Sequence, residues 1–317
     1  MDRKSSDMQF GQLSVLSENE ANFEEVQKQV EQDQQAVETE KLPEGKLCFD
    51  GELDFGHLSF LTPSKDAYMQ VLMELAEKGE DFVVTAADNT GKSLMLQFQK
   101  AYSDRFVDVG IAEPNQVGIS AGIALTGKTV YLQGFGPFLA LRCLDQVHTD
   151  IAYQNLPVRM VNTHGGLTSG GGPTHYNIMD LCVMRTLPNM TVMAPKDGKE
   201  LEAMMELAAS LDGPCAIRYP RGEAARMEAD APLELGKAQR IAEGSDVDIW
   251  ALGAMTEKAL EASRILKRAH IDAGVVNMAF VRPLDVELLK SSARKTPLLV
   301  TLEDNVITGG AGQEIDA

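Results

Sequence analysis

Only four cysteines (Cys48, Cys143, Cys182, Cys215) are spread through the 317 residues, with no C-x-x-C pair, which excludes both a zinc ribbon and a disulfide framework. Basic charge is scarce. The 29 Lys and Arg face 47 Asp and Glu, and a formal net charge of -18 argues against nucleic acid and against anionic membranes as partners. No apolar run reaches the roughly 18 residues of a membrane span. The first residues, MDRKSSDMQFGQLSVLSENE, lack the apolar stretch of a secretion signal. A G-x-x-x-x-G-K-[ST] phosphate loop, a G-x-G-x-x-G turn after a strand and an H-E-x-x-H zinc motif are all missing. The segment DNTGKS ends like a phosphate loop but lacks its first glycine. The five histidines show no metal-site spacing. These absences leave a reducing, cytoplasmic, soluble protein as the expectation.

What is present supports a large core, with 44% hydrophobic and 24% charged residues in a length that fits two mid-sized domains. Residues 1–45 stand apart: SENEANFEEVQKQVEQDQQAVETEK is rich in Glu and Gln, with a thin apolar stripe from Phe23, Val26 and Val30 that fades. This reads as an acidic extension, mobile or partly helical. Beyond it helices and short apolar strands alternate. SKDAYMQVLMELAEKG, NQVGISAGIALTG, DQVHTDIAYQN and KELEAMMELAAS read as helices. Between them DFVVTAAD, RFVDVG, KTVYLQGF, LPVRMVNTH and MTVMAPKD read as strands. After a charged connector, YPRGEAARMEADAPLELG, a second unit repeats the alternation with strands SDVDIWALGA, AGVVNMAFV and PLLVTLED. TEKALEASRILKRAHI and DVELLKSSARK are the helices between those strands. Strand–helix alternation predicts α/β architecture: two domains with mostly parallel sheets covered on both faces. The boundaries fall at 58–226 and 235–317. A Gly-rich turn, GGAGQEIDA, closes the sequence where a further helix is expected, so the second unit reads as incomplete.

Three loops at predicted strand ends carry the chemistry, because open α/β sheets bind ligands there. In DVGIAEPNQVG, Glu113 precedes Pro114 at a helix start, where an acid ordinarily serves as a solvated dipole partner. NTHGGLTSGGGPTHYN carries His164 and His175 in one Gly-rich run. AIRYPRGEA places Arg218 and Arg221 after a strand, as surface arginines or as phosphate ligands.

The ordered series DVGIAE, GFGPF, HTDIAYQNLPV, GGGPTH, RTLPNMTVMAP and RYPRG resembles the transketolase and deoxyxylulose-phosphate synthase superfamily over about 60–317. It is most similar to the C-terminal subunit of a split, two-subunit transketolase. NTHGGL leans toward split transketolases, whereas IAYQNLPV, RYPRG and FVRPLD lean toward the synthase. The resemblance implies a thiamin-diphosphate-binding pyrimidine fold followed by a transketolase C-terminal-like domain. The family's diphosphate domain carries a Gly-Asp-Gly segment that this sequence lacks. The resemblance implies thiamine diphosphate as the cofactor, and the missing segment implies that Mg2+ or a similar ion is held mainly by an N-terminal, diphosphate-binding partner subunit. Self-association into a heterotetramer is also implied.

Matched position by position, Glu113 corresponds to the glutamate that hydrogen-bonds N1′ of the cofactor's aminopyrimidine. Phe138, with Phe135 behind it, corresponds to the aromatic pocket for that ring. His164 and His175 correspond to histidines that face the substrate and stabilise alkoxide charge. Arg221 matches a substrate-phosphate ligand, Lys65 and Lys92 fall at or near positions for the same phosphate, and Asp88 sits where an acid approaches the cofactor. The family's acid before the second histidine is Gly171 here, its glutamine after it is Tyr176, and its aromatic residue one turn beyond Phe138 is Leu141. The implied activity is transfer of a two-carbon ketol unit between sugar phosphates. The alternatives are a synthase-like condensation of pyruvate with an aldehyde phosphate, or a catalytically silent partner subunit.

Overall fold

The computed structural model describes residues 62–88, 94–167, 172–220, 223–224 and 232–316. The acidic extension and most of the DNTGKS segment lie outside them. Strand β1 (Thr62–Pro63) runs into helix α1 (Ser64–Glu77), which buries Tyr68, Leu72, Leu75 and Ala76 at helical spacing. Gly79, at φ +83, lies just past the helix end in a conformation that a side chain disfavours. Then follow β2 (Phe82–Ala86), α2 (Leu94–Ala101), β3 (Phe106–Asp108), α3 (Glu113–Ala124) and β4 (Thr129–Phe135). The DQVHTDIAYQN segment is helical as expected, but it joins a longer run of turns: Phe138–Arg142, Leu144–Gln146 and Val147–Ala152. The first and last of these have π spacing. The first part is completed by β5 (Val158–Thr163), α4 (Asp180–Met184), β6 (Thr191–Met193), α5 (Gly198–Ala209), β7 (Cys215–Arg218) and β8 (Glu223–Ala224). β8 pairs antiparallel with β1.

The second part contains β9 (Gln239–Ala242), β10 (Val247–Ala251), α6 (Met255–Arg268), β11 (Ala273–Asn277) and β12 (Phe280–Arg282). It ends with α7 (Val286–Lys295), β13 (Leu298–Leu302) and α8 (Ala311–Asp316). Strands β13-β10-β11-β9 form a four-stranded sheet, parallel except for β9. A seven-stranded sheet has the order β12-β6-β7-β5-β4-β2-β3 and is parallel except for β12. Its central strand β5 is buried at every position, as a strand covered on both faces requires. The α/β class and the mostly parallel sheets thus match the sequence reading.

One expected strand divides in two. AGVVNMAFV reads as one strand in sequence, yet β11 stops at Asn277, its one polar residue, and Ala279 takes φ +53. The Ala279 carbonyl accepts from the Ala194 N–H (2.9 Å), and β12 then adds to the edge of the other sheet beside β6. With apolar residues on both sides of Asn277, the segment has no alternation to mark such a break. The two sheets consequently share one core, in which Val192, Trp250, Val276 and Val281 are buried together.

Candidate active site

Glu113 is the first residue of α3, followed by Pro114, which costs nothing at a helix start because that N–H has no helical partner. Buried polar bonds pin the helix to the sheet. The Gln116 side-chain amide donates to the backbone carbonyls of Thr85 (2.9 Å) and Gln133 (3.0 Å), spanning β2 and β4. The Ser120 hydroxyl donates to the Gln116 carbonyl (2.7 Å) and lies 2.9 Å from the Thr85 hydroxyl. Gly118-Ile119-Ser120-Ala121-Gly122 has the letters of a G-x-S-x-G nucleophile elbow, but here the serine is buried inside a helix and engaged. So anchored, Glu113 is only 6% exposed. Its Oε2 accepts from Arg142 Nη1 at 2.7 Å, and the Arg142 guanidinium lies over the Phe138 ring, 4.2 Å from its centroid.

Phe135 ends β4, and Phe138 opens the helical turn that follows Gly136 and Pro137. Gly136 is required by close approach: a Cβ there would fall on the Asn177 side chain and come within 3.1 Å of the Thr163 carbonyl. The turn aims both rings at the histidines. Phe135 lies edge-on to Phe138 (5.7 Å between centroids), His164 (4.5 Å) and His175 (5.8 Å), and Phe138 lies 5.2 Å from His175. His164 follows β5 with φ +67, its Nδ1 2.7 Å from the Thr163 hydroxyl; His175 Nδ1 is 2.9 Å from the Thr174 hydroxyl. Glu113, Phe135, Phe138, His164 and His175, predicted from separate segments, therefore converge at the C-terminal ends of parallel strands.

Other expectations fare differently. Asp88 is exposed after β2 with φ +52, and its N–H donates to Asp108 (3.0 Å); among the described contacts none joins its side chain to the aromatic cluster. Lys65 lies in the first turn of α1, but its side chain, Lys92, Arg221 and Gly171 are outside the described residues. Arg218 is not a phosphate ligand in this structure. As the last residue of the interior strand β7, it is 3% exposed and bonded to Asp304, with Asp180 Oδ2 3.4 Å from its Nε. Burial outweighs the pull of Arg218 and pushes the Asp180 carboxyl up to about 6. Sequence reasoning missed Arg142, whose signal was its place four residues after Phe138.

Among the described residues no three His, Cys, Asp or Glu come together as a metal site, and no helix is long and apolar enough to cross a membrane. Cys143, Cys182 and Cys215 are free, and burial pushes the Cys143 thiol up to about 12 and that of Cys215 to about 11.

Comparison with known proteins bears on this site. The family described as "Transketolase, pyrimidine binding domain" matches residues 63–226, and "Transketolase, C-terminal domain" matches 236–317. A 1-deoxy-D-xylulose-5-phosphate synthase from Caldanaerobacter subterraneus subsp. tengcongensis is 41% identical over 263 residues, covering 81% of this chain and 42% of that protein. 1-Deoxy-D-xylulose-5-phosphate synthase 1 from Geobacter sulfurreducens is 42% identical over 250 residues, covering 77% and 39%. The chain thus spans about two fifths of the length of these curated relatives. Among solved structures, a split-gene transketolase described as an inactive β4 tetramer aligns with TM-score 0.74 and 38% identity, covering 80% of this chain and 83% of that one. A transketolase variant from Pichia stipitis aligns with TM-score 0.66 and 21% identity, covering 81% and 44%, a likeness of fold alone. Family models matched in order along both parts, and relatives above 40% identity over most of its length, place the chain in the transketolase family.

Proposed function

We propose that this chain is the pyrimidine-binding and C-terminal subunit, with domains over 58–226 and 235–317, of a thiamine-diphosphate-dependent enzyme. With a diphosphate-binding partner it transfers a two-carbon ketol unit between sugar phosphates. The observation that carries the reading is the convergence of Glu113, Phe138 and His175 in one place, joined by Arg142. The match over 83% of a split-gene transketolase chain supports the division of labour. A buried carboxylate beside aromatic rings fits an aminopyrimidine, which offers a ring nitrogen and a flat apolar face. Thiamine diphosphate, when bound, supplies the carbon nucleophile that attacks a ketose carbonyl.

Glu113 would hold the proton at N1′, with Arg142 fixing the orientation of its carboxyl group. Phe135 and Phe138 would pack against the pyrimidine and exclude water from it. His164 and His175, each engaged at Nδ1 by a threonine hydroxyl, would hydrogen-bond the substrate oxygens as charge develops on them. Arg221, Lys65 and Lys92 are assigned to the substrate phosphate, Asp88 to the cofactor surroundings, and the metal and diphosphate to the partner.

Identities of 41% and 42% to two synthases favour a second reading, in which pyruvate is the donor and carbon dioxide leaves. Product analysis of the assembled complex separates the two. Ketol transfer predicts sedoheptulose phosphate from xylulose phosphate and ribose phosphate, with no carbon dioxide from pyruvate. Release of carbon dioxide with formation of a deoxyketose phosphate moves the assignment to the synthase. Neither product in a complex that binds cofactor makes this a silent subunit.

A further inference from the structure

One loop carries both histidines, and its two ends are seated on one buried arginine. Two residues after each histidine, Gly166 and Asn177 exchange backbone bonds of 2.9 and 3.1 Å as a clasp, and the Gly165 N–H donates to the Tyr219 carbonyl (2.9 Å). The Arg218 side chain lies directly under this clasp: a Cβ on Gly165 would stand 2.6 Å from Arg218 Nε, and Arg218 Nη2 donates to the Asn177 carbonyl at 3.2 Å. The Asn177 side chain then reaches the turn before Phe138 at Gly136 and donates to Asp180 at 2.7 Å. Arg218 is held in turn from the other sheet. Asp304, in the loop after β13, accepts from Nη1 through its carboxylate and from Nη2 through its backbone carbonyl (3.0 Å). Its neighbour Val306 donates to the Ile178 carbonyl at 2.8 Å, and Asp304 fills the space in front of Gly166, whose φ of +75 brings the backbone close.

Charge pairing alone does not require this arrangement. Asp180, within the seven-stranded part, already faces Arg218, so Asp304 adds a second carboxylate around one guanidinium. Burying that extra charge is costly, and a buried ion pair adds little net stability; its best-attested contribution is to fix register. The register fixed here is that of the Gly166–Asn177 clasp, two residues beyond each histidine.

We propose that Asp304 is a positioning residue which, from the C-terminal sheet, sets His164 and His175 through Arg218 and the Gly166–Asn177 clasp. The proposal rests on the reading that these histidines face the substrate. It makes the C-terminal part a contributor to the reaction steps that involve sugar, with no part in the cofactor step that Glu113 governs.

The test is Asp304→Asn, which keeps shape and hydrogen-bonding oxygen but removes the charge, measured in the complex with the diphosphate-binding chain. Turnover is expected to fall about tenfold or more, the scale on which small misplacements act. Hydrogen–deuterium exchange at C2 of the bound cofactor, which precedes sugar binding, should stay within about twofold of the parent. In the chain without cofactor, the imidazole NMR signals of His164 and His175 should move while that of His270 stays in place. Unchanged imidazole signals overturn the proposal, as does a parallel loss of turnover and exchange. If the parent complex shows neither turnover nor exchange, the functional reading has failed, and the imidazole signals alone still decide whether Asp304 positions the histidines. Should Asp304→Asn not fold, Asp304→Glu displaces the same charge by one methylene and is held to the same criteria.

Discussion

Gly136→Ala tests whether the Asn177 contact at the foot of the site is as tight as it stands. The added methyl meets the Asn177 side chain and the Thr163 carbonyl, and neither yields easily: Asn177 is 1% exposed and Thr163 belongs to central strand β5. Overpacking of this kind costs about 1–3 kcal/mol. If Asn177 swings away it also forfeits its 2.7 Å bond to Asp180, a hydrogen bond to a charged group contributing about 1.5–3 kcal/mol. Alanine returns about 0.4–1 kcal/mol by restricting the unfolded chain. The net loss expected is therefore about 2–5 kcal/mol by these terms. Urea unfolding is followed through Trp250, the one tryptophan in the sequence, which is fully buried in the core common to both sheets. The same substitution made with Asn177→Ala should cost much less, because the obstruction has gone, leaving a coupling of about 1 kcal/mol or more between the two positions. A loss below about 0.5 kcal/mol, the scatter of ordinary surface changes, would refute the reasoning.

Glu113→Gln should lower turnover of the assembled complex by about 10² or more, the scale for removal of a positioned acid, and slow cofactor C2 exchange in parallel. Calorimetric cofactor affinity should change little, since the diphosphate is assigned to the partner; an unaltered exchange rate would bring the silent-subunit reading forward. Asp180 makes a pH prediction. Burial raises its carboxyl from 3.8 to about 6, so between those values the folded chain holds a proton that the unfolded chain has released. Its contribution to stability is therefore full below 3.8 and lost as pH rises through about 6, a change of up to about 3 kcal/mol at 1.36 kcal/mol per pH unit. Asp180→Asn should flatten the unfolding free energy over that window; an identical slope in parent and variant would show that Asp180 does not titrate there.

The elements most legible in sequence were those whose residues announce their surroundings locally. α1 carries a helical stripe ending before Gly79, and β5 is an uninterrupted buried strand, so both emerged with little displacement. Glu113, His164 and His175 stood out in sequence as an acid and two imidazoles in loops at strand ends, whereas Phe138 was legible only through the family resemblance; their convergence depends on the β3–β4 and β4–β5 crossovers, which no local pattern encodes. The structure brings them together through features that composition hides: π-spaced turns after Phe138, a left-handed His164, and the space that Gly136 leaves for Asn177. Arg218 shows the limit most clearly. An arginine after a strand reads as exposed in sequence, since lone buried guanidinium is too costly to expect. Its partners lie 38 residues before it and 86 after it, at Asp180 and Asp304, separations that no local pattern brings together. The same separation explains β12, whose three residues leave one sheet to edge the other beside β6. Contacts that tie the two sheets are made by side chains and edges with no period of their own. They are therefore the last to be read from sequence, although in this chain they surround the residues that would meet the substrate.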